Sequence, residues 1–262
     1  MLEKIEQAGL TVVTAPELER SAGIVVAFTV RRGGVSAGPF ESLNLSYAVG
    51  DQRRSVDDNR EAVARAIGVP LARWVLGMQV HGTAVARVGQ ADLGRGGMDH
   101  ASGIPRNDAL VTLTPGMALA VLTADCLPIV LVAPDVPAVG VVHAGWRGVL
   151  AGIPRAGAEA LSRCAGGDLA GSVAMIGPHI GPCCMEVDAD LASTFAREFG
   201  AGVVEGRFLD LAAACASQLE GVGIPPGNIY NSDECTMCTD DYFSHRRDAG
   251  CGRQGAFAAI RR

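Results

Sequence analysis

Two histidines and one cysteine of this 262-residue chain stand where metal ligands are expected. His81 adjoins a glycine between two apolar stretches in QVHGTAV, and Cys126 precedes a proline and an apolar run in TADCLPIVLV. His143 ends an apolar run and leads into a glycine-flanked turn in VGVVHAGWRG. Two imidazoles and one thiolate, with a fourth position open to water or substrate, are typical of a catalytic zinc site. We therefore predict one zinc ion held by His81, Cys126 and His143, with copper as a substitute because copper binds such ligands more tightly.

An acid and several cations accompany these ligands in the sequence. Asp125 adjoins Cys126 and is the nearest acid by sequence, so it is our candidate for proton transfer. The C-terminal segment YFSHRRDAGCGRQG concentrates histidine and arginine in a glycine-broken stretch, where planar guanidinium groups could grip an anion. A solvated surface run is the alternative interpretation of that segment. We predict catalytic roles for Asp125, Cys126 and Arg247, and substrate-binding roles for Arg60, Arg147, His245 and Arg246.

The remaining cysteines and histidines carry a weaker signal. Cys235 and Cys238 have CxxC spacing in ECTMC, with Cys251 nearby, and they form the alternative zinc site. No second clear pair accompanies them, so the site at His81 is preferred. The other cysteines are interpreted as buried small side chains, namely Cys164, Cys183, Cys184 and Cys215. His100 and His179 lie in no such pattern and are interpreted as structural or exposed.

Composition and charge limit the classes of partner. A net charge of −6 and a pI near 5.4 argue against a general phosphate-backbone binder, so we expect no nucleic-acid partner. No stretch approaches twenty apolar residues, and MLEKIEQAGL lacks the pattern of an export signal. We expect a cytoplasmic protein without a membrane span, whose cysteines stay reduced. A monomer and a homodimer both remain open.

The hydrophobic patterns predict a mixed α/β chain. Apolar runs rich in valine, leucine and isoleucine predict strands at residues 24–29, 109–113, 118–122, 128–133, 138–143 and 172–177. Amphipathic patterns predict helices at about residues 57–67, 153–164, 188–199 and 208–220, the first of them capped by Asp57 or Asp58. The central strands are separated by about four to six residues, which favours hairpins over helical crossovers. We expect a single domain over residues 1–262, with a mixed, mostly antiparallel β core flanked by helices and a long surface loop from Gly94 to Arg106.

Six segments together are similar to the YfiH-type laccase-domain family, whose members are known as polyphenol oxidases, purine nucleoside phosphorylases and peptidoglycan-editing factors. The segments are GGVSAGPFESLNLSYAVGD, QVHG, TADCLPI, HAGWRG, IGPHIGPCCMEV and FSHRRDAGCGR, and they occur in this order from about residue 31 to residue 253. Met185 and Cys251 depart from the aromatic residue and the threonine that are more familiar at their positions. The resemblance implies that His81, Cys126 and His143 bind zinc. It also implies a single α/β unit with a β-sandwich-like core.

The resemblance further implies an activity and a substrate class. The expected reaction is phosphorolysis of purine nucleosides such as adenosine, inosine and methylthioadenosine to the free base and a sugar 1-phosphate. Deamination of adenosine is expected as a second activity of the same pocket, because zinc lowers the pKa of bound water for attack on C6 of adenine. Zinc deaminases place a glutamate two residues after a ligand histidine, whereas this chain has Thr83 there.

Three other functions stay open as alternatives. A copper-dependent polyphenol oxidase is disfavoured as the main activity, because the chain has five histidines and no HxH pair to build a multicopper cluster. A cysteine hydrolase or amidase that edits peptidoglycan precursors would use Cys126 as nucleophile and His143 or His81 as base, with Asp125 or Asn107 as the orienting group. A binding protein without catalysis is the third alternative.

Overall fold

Two six-stranded sheets form the centre of the structure. The structure is a computed structural model and describes residues 2–261. The strands are β1 (Glu3–Gln7), β2 (Leu10–Thr14), β3 (Ile24–Thr29), β4 (Trp74–Leu76), β5 (Val85–Arg87), β6 (Ala109–Thr112), β7 (Ala118–Thr123), β8 (Leu127–Ala133), β9 (Ala138–Ala144), β10 (Val173–Ile176), β11 (Val204–Glu205), β12 (Phe208–Leu209), β13 (Ile229–Asn231) and β14 (Gln254–Ile260). The first sheet has the order β1-β2-β3-β14-β7-β4, and the second has the order β13-β10-β8-β9-β6-β5. The pairs β4–β7, β5–β6 and β10–β13 are parallel, and the other neighbours are antiparallel. The predicted fold class is therefore confirmed.

Helices cover the outer faces of both sheets. They are α1 (Pro16–Ala22), α2 (Arg53–Ile67), α3 (Trp146–Leu150), α4 (Ile153–Ala165), α5 (Ala189–Phe199) and α6 (Leu211–Gly221). Helix α2 packs Val63 and Ile67 against the first sheet. Helix α4 packs against the second sheet, and α5 and α6 share the same buried cluster. Within the described residues, none of these helices combines the length and the apolar character that a membrane span requires.

The two sheets face each other across an apolar layer. Phe28 and Leu119 of the first sheet belong to the same buried cluster as Val130 and Val141 of the second sheet. Val130 and Val141 are also register partners in the β8–β9 hairpin, so one pair of antiparallel strands presents both side chains to the layer. This packing is the sandwich-like core that the resemblance implies.

The expected series of hairpins is partly wrong. Strands β8 and β9 do form a hairpin, but β6 lies in the second sheet and β7 lies in the first. The antiparallel partner of β7 is β14, which the sequence analysis did not identify because its alanines and glycine have low strand propensity. The chain thus crosses between the sheets from β6 to β7 and again from β7 to β8. These short crossings bring the ends of strands from both sheets together.

Two helix boundaries also differ from prediction. Helix α2 begins at Arg53, so Asp57 and Asp58 lie inside the helix and are not its caps. Helix α6 begins at Leu211 after the Asp210 cap, because Phe208 and Leu209 pair with the preceding strand as β12. The loop from Gly94 to Arg106 is irregular apart from a short 3-10 turn at His100–Ser102, as predicted.

Candidate metal centre

Two crossings between the sheets and one strand end bring the predicted ligands together. His81 lies in the connection from β4 to β5, and Cys126 ends the connection from β7 to β8. His143 is the penultimate residue of β9, and the register of the β8–β9 hairpin pairs Leu127 with Ala144. That register places Cys126 beside the turn that follows His143. One ligand atom from each of the three residues lies within 4.8 Å of the other two.

The three candidate ligand side chains lie close together and differ in exposure. Cys126 Sγ lies 3.9 Å from His81 Nε2, and the His81 and His143 rings meet edge to face with centroids 4.8 Å apart. His143 is buried, Cys126 is half-buried and His81 is exposed. The ligand atoms are therefore reachable from the His81 side. This arrangement suits three protein ligands and one open coordination position.

Asp108, directly before β6, orients both histidines. Its carboxylate accepts hydrogen bonds from the backbone N–H groups of His81 (2.9 Å) and Gly82 (2.8 Å), and it lies 2.8 Å from His143 Nδ1. His81 adopts a left-handed backbone conformation with φ of 60°, which these bonds help to hold. Because Nδ1 of His143 faces the carboxylate, its Nε2 is the nitrogen left to bind an ion. Burial opposes ionisation of Asp108, but the hydrogen bonds hold its pKa below the usual value.

The electrostatic surroundings favour a thiolate at Cys126. Burial by itself would raise the pKa of this thiol, but the neighbouring His143 and His81 lower it to about 6. Burial likewise disfavours the charged form of His143, yet Cys126 and Asp108 raise the pKa of its imidazole to about 9. Thiolate and imidazole are ligands that zinc and copper both accept. The donor set therefore fits a metal ion.

Gly145 allows the ligands to approach each other. A Cβ atom at this position would lie 2.9 Å from His81 Cδ2 and 3.1 Å from Cys126 Sγ, closer than side chains normally pack. Its backbone φ of −75° is accessible to any residue, so the requirement for glycine is steric and not conformational. The first glycine in HAGWRG is thus explained by the space that the candidate ligands occupy.

A cavity of about 400 Å³ opens beside the three ligands. Its volume lies in the range of small-molecule sites. Its wall carries Tyr47, Arg60, His100, His245 and Arg253 in addition to the ligands. Of the predicted substrate-binding residues, Arg60 and His245 therefore lie on the cavity. His100 is exposed as predicted, but its place on the cavity wall was not foreseen, because its loop has no pattern that links it to the ligands.

Arg60 places a positive charge on the cavity wall. Its side chain is 2% exposed, and it donates to the carbonyl oxygens of Leu45 (2.8 Å), Gly96 (2.7 Å) and Gly97 (2.7 Å). Its guanidinium carbon also lies 4.3 Å from the centroid of the Tyr47 ring. Burial lowers the Arg60 pKa to about 10, which leaves the group charged at neutral pH. Among residues 2–261, no carboxylate lies within ion-pair distance of this guanidinium.

Asp125 lies next to Cys126 but faces away from the cavity. One carboxylate oxygen accepts a hydrogen bond from the Thr236 hydroxyl, and the other accepts from the backbone N–H of Arg246, both at 2.7 Å. Asp125 has a left-handed φ of 85°, which turns its side chain toward these partners. Its carboxylate joins the C-terminal segment to the loop that carries Cys126.

The three other predicted arginines also lie off the cavity wall. Arg246 donates through Nη1 to the Cys184 and Glu186 carbonyl oxygens, at 3.3 and 3.1 Å. Arg247 donates to main-chain carbonyl groups, among them those of Thr239 and Tyr242. Arg147 is exposed and stacks on Trp146, with 4.2 Å between its guanidinium carbon and the ring centroid. Within the SHRR motif, His245 thus lies on the cavity wall, and the two arginines contact the neighbouring loops.

The interpretation of Cys183 and Cys184 as buried small residues is wrong. Cys183 is exposed and Cys184 is half-buried, whereas Cys164 and Cys215 are buried as predicted. The sulfurs of Cys183 and Cys184 lie beside those of the CxxC pair. The proximity of this CC pair to the CxxC pair could not be inferred from sequence, because about fifty residues separate the two segments.

Known proteins resemble this chain over nearly its whole length. It is 40% identical over 258 residues to the purine nucleoside phosphorylase YlmD of Geobacillus stearothermophilus, a match that covers 92% of this chain and 91% of that protein. A purine nucleoside phosphorylase of Streptomyces coelicolor is 40% identical over 239 residues, covering 90% of this chain and 95% of the relative. The crystal structure of YfiH from Bacillus licheniformis matches with a TM-score of 0.91 and 30% identity, covering 99% of this chain and 98% of that one. The crystal structure of the Geobacillus stearothermophilus YlmD protein has a TM-score of 0.89 and 36% identity, with 100% and 99% coverage.

A sequence model of the family described as multi-copper polyphenol oxidoreductase laccase matches residues 25–261. The match includes all three candidate ligands, Asp108 and the cavity residues. The chain belongs to this laccase-domain family, together with the YfiH and YlmD proteins.

Proposed function

We propose that this protein is a purine nucleoside phosphorylase that depends on zinc bound by His81, Cys126 and His143. Two relatives with 40% identity are named purine nucleoside phosphorylases. The observation that carries the proposal is the buried Arg60, which lies on the same cavity as the three ligands and has no carboxylate partner among the described residues. A buried guanidinium that forms no ion pair favours an anionic ligand such as phosphate.

Phosphorolysis places distinct demands on the residues of the cavity. Phosphate attacks the anomeric carbon of the sugar while the electrons of the glycosidic bond move to the purine base. Arg60 and Arg253 would hold the phosphate oxygens close to the positive charge that develops on the sugar. When bound, zinc would supply a Lewis acid that polarises a substrate oxygen or nitrogen. Outside the ligand set, His100 and His245 are the imidazoles on the wall that could protonate the leaving purine at N7.

Asp125 and Arg247 have positioning roles in this proposal. The hydrogen bonds of Asp125 connect Cys126 with the segment that carries His245, and Arg247 braces that segment through main-chain carbonyl groups. The catalytic and substrate-binding assignments that we favour are therefore those on the cavity wall. Adenosine, inosine and methylthioadenosine are the proposed substrates, and adenosine deamination is proposed as a second activity of the same cavity.

Product analysis tests these activities in a single assay. Metal-analysed protein is incubated with adenosine in the presence and absence of phosphate, and the products are separated by chromatography. Phosphorolysis yields adenine and ribose 1-phosphate only when phosphate is present. Deamination yields inosine without phosphate, and inosine together with its phosphorolysis product hypoxanthine when phosphate is present. The Cys126→Ser protein, purified in the same way, controls for contaminating host enzymes. Recovery of unchanged adenosine with metal-loaded protein would contradict the proposal.

A cysteine hydrolase that edits peptidoglycan precursors is the second candidate. The observation that favours it is the alignment of Asp108, His143 and Cys126, which also matches an orienting acid, a base and a nucleophile. Asp108 takes the orienting role that the sequence suggested for Asp125 or Asn107. A hydrolase of this kind keeps its activity after complete removal of metal, and the zinc enzyme loses it.

A further inference from the structure

Four cysteines from two distant segments meet at one edge of the second sheet. Cys183 and Cys184 follow β10, and Cys235 and Cys238 follow β13. These strands are parallel neighbours, so their C-terminal ends lie at the same edge. A further bridge between His179 and Cys235 continues the pairing into the two loops. The topology therefore brings a CC pair and a CxxC pair face to face.

The four sulfurs have the spacing of a metal site and not of a disulfide. All four lie within 4.8 Å of one another, and Cys238 Sγ is 3.5 Å from Cys183 Sγ and 3.4 Å from Cys184 Sγ. Sulfurs at the corners of a tetrahedron around zinc lie about 3.8 Å apart, given zinc–sulfur bonds of about 2.3 Å. A disulfide would require about 2.05 Å. The four thiols are free.

The surroundings of this cluster also suit bound thiolates. The backbone N–H of Gly181 donates to Cys235 Sγ at 3.2 Å, a bond that stabilises negative charge on sulfur. Cys183 and Cys238 are exposed, so an ion can enter from solvent. None of these four residues belongs to the centre at His81, Cys126 and His143.

We propose that Cys183, Cys184, Cys235 and Cys238 form a second metal site that binds a structural zinc ion. Four protein thiolates fill a tetrahedral shell and leave no position for substrate. The ion would join the loop after β10 to the loop after β13. The second loop includes Thr236, whose hydroxyl donates to Asp125, and it supplies carbonyl groups that hold Arg247. The site lies outside the cavity, and it would thus stabilise the position of the segment that carries His245.

Metal content in matched variants tests the proposal independently of catalysis. Untagged protein purified without chelators should contain two zinc ions per chain by elemental analysis. Cys126→Ser removes a ligand of the other centre and should leave one ion, and Cys238→Ser should also leave one. Cys164→Ser, which changes a buried cysteine outside both clusters, should retain two.

Cobalt substitution keeps the test decisive if Cys238→Ser fails to fold. The Cys126→Ser protein, reconstituted with Co²⁺, should show the intense sulfur-to-cobalt charge-transfer absorption of several thiolates and the visible bands of a tetrahedral site. The proposal is overturned if Cys126→Ser protein contains no zinc and gives no thiolate band with cobalt. It is equally overturned if peptide mapping of the freshly isolated protein finds these cysteines joined in disulfides without metal.

Discussion

At the scale of single residues, Asp108 connects the two histidines that are candidate ligands. It binds the backbone of the His81 loop and the Nδ1 side of His143 with one carboxylate. The convergence of His81, Cys126 and His143 could be predicted from sequence, because each lies within two residues of a glycine or proline at the boundary of an apolar run. Asp108 could not be predicted, because its partners lie 26 to 35 residues away and no spacing rule links them. The reverse holds for Arg246 and Arg247, whose motif is conspicuous in the sequence and predicts substrate contacts. In the structure both side chains donate hydrogen bonds to main-chain carbonyl groups.

Asp108→Asn should weaken zinc binding at the proposed metal centre. The amide oxygen of asparagine can replace Oδ1, which faces both His143 Nδ1 and the His81 N–H, but its NH2 group cannot accept from the Gly82 N–H as Oδ2 does. We expect the affinity for zinc to fall about 10–100-fold, as for other residues that support metal ligands. Competition with a chromophoric chelator measures this change, and Asn107→Ala provides a neighbouring control. An unchanged affinity in Asp108→Asn would refute the supporting role of this carboxylate.

Arg60→Lys should impair the use of phosphate without removing zinc. Lysine keeps the positive charge but lacks the planar fork of guanidinium donors. We expect the KM for phosphate to rise about tenfold, which corresponds to about 1.4 kcal/mol of lost binding. Steady-state kinetics at varied phosphate measure the effect, and Arg54→Lys, at an exposed position of the same helix, is the matched control. Equal KM values for phosphate in the two variants would show that Arg60 does not bind phosphate.

At the scale of elements, the connections between the sheets build the candidate metal centre. The β4–β5 connection supplies His81 and the β7–β8 connection supplies Cys126. The apolar runs predicted β3, β8 and β9 almost to the residue, because each is a buried run of β-branched and aliphatic side chains. They could not assign strands to sheets, because every one of these strands is buried on both faces and the partner β14 has a weak pattern.

Gly145→Ala should displace the ligands while it preserves the β9–α3 turn. The added methyl group would lie against His81 and Cys126, and the backbone angles at this position tolerate alanine. We expect zinc to bind at least about tenfold more weakly, a difference of about 1.4 kcal/mol. The chelator competition described above measures it. Gly202→Ala is the control, because no atom lies within 4 Å of the Cβ position there. Zinc binding as tight as in the Gly202→Ala protein would show that the ligands do not need this space.

At the scale of the whole molecule, the apolar layer between the sheets holds the crossings in place. Phe28 lies in that layer and is 1% exposed, whereas Phe208 lies on the small β11–β12 hairpin and is 42% exposed. The apolar content predicted a large core, but the division into two facing sheets depends on pairings between distant strands. The end of the sandwich where the crossings meet is also where the cavity opens.

Phe28→Ala should therefore cost far more stability than Phe208→Ala. Loss of a buried phenyl ring leaves a cavity between the sheets and lowers the free energy of unfolding by about 3–5 kcal/mol. The exposed Phe208 should contribute less than about 1 kcal/mol. Urea denaturation of both variants gives the comparison. Equal losses would mean that the layer between the sheets is not the main core.

The rate of alkylation at Cys126, mapped by peptide mass spectrometry, tests the metal centre most directly. Mapping separates this residue from the other seven cysteines, so a second metal site does not confuse the result. Burial favours the neutral thiol, but His143 and His81 lower the Cys126 pKa to about 6, so the uncovered sulfur is a thiolate at neutral pH. The zinc centre predicts slow alkylation of Cys126 in metal-loaded protein and fast alkylation after chelation. Equally rapid alkylation of Cys126 in fully metal-loaded protein would contradict it.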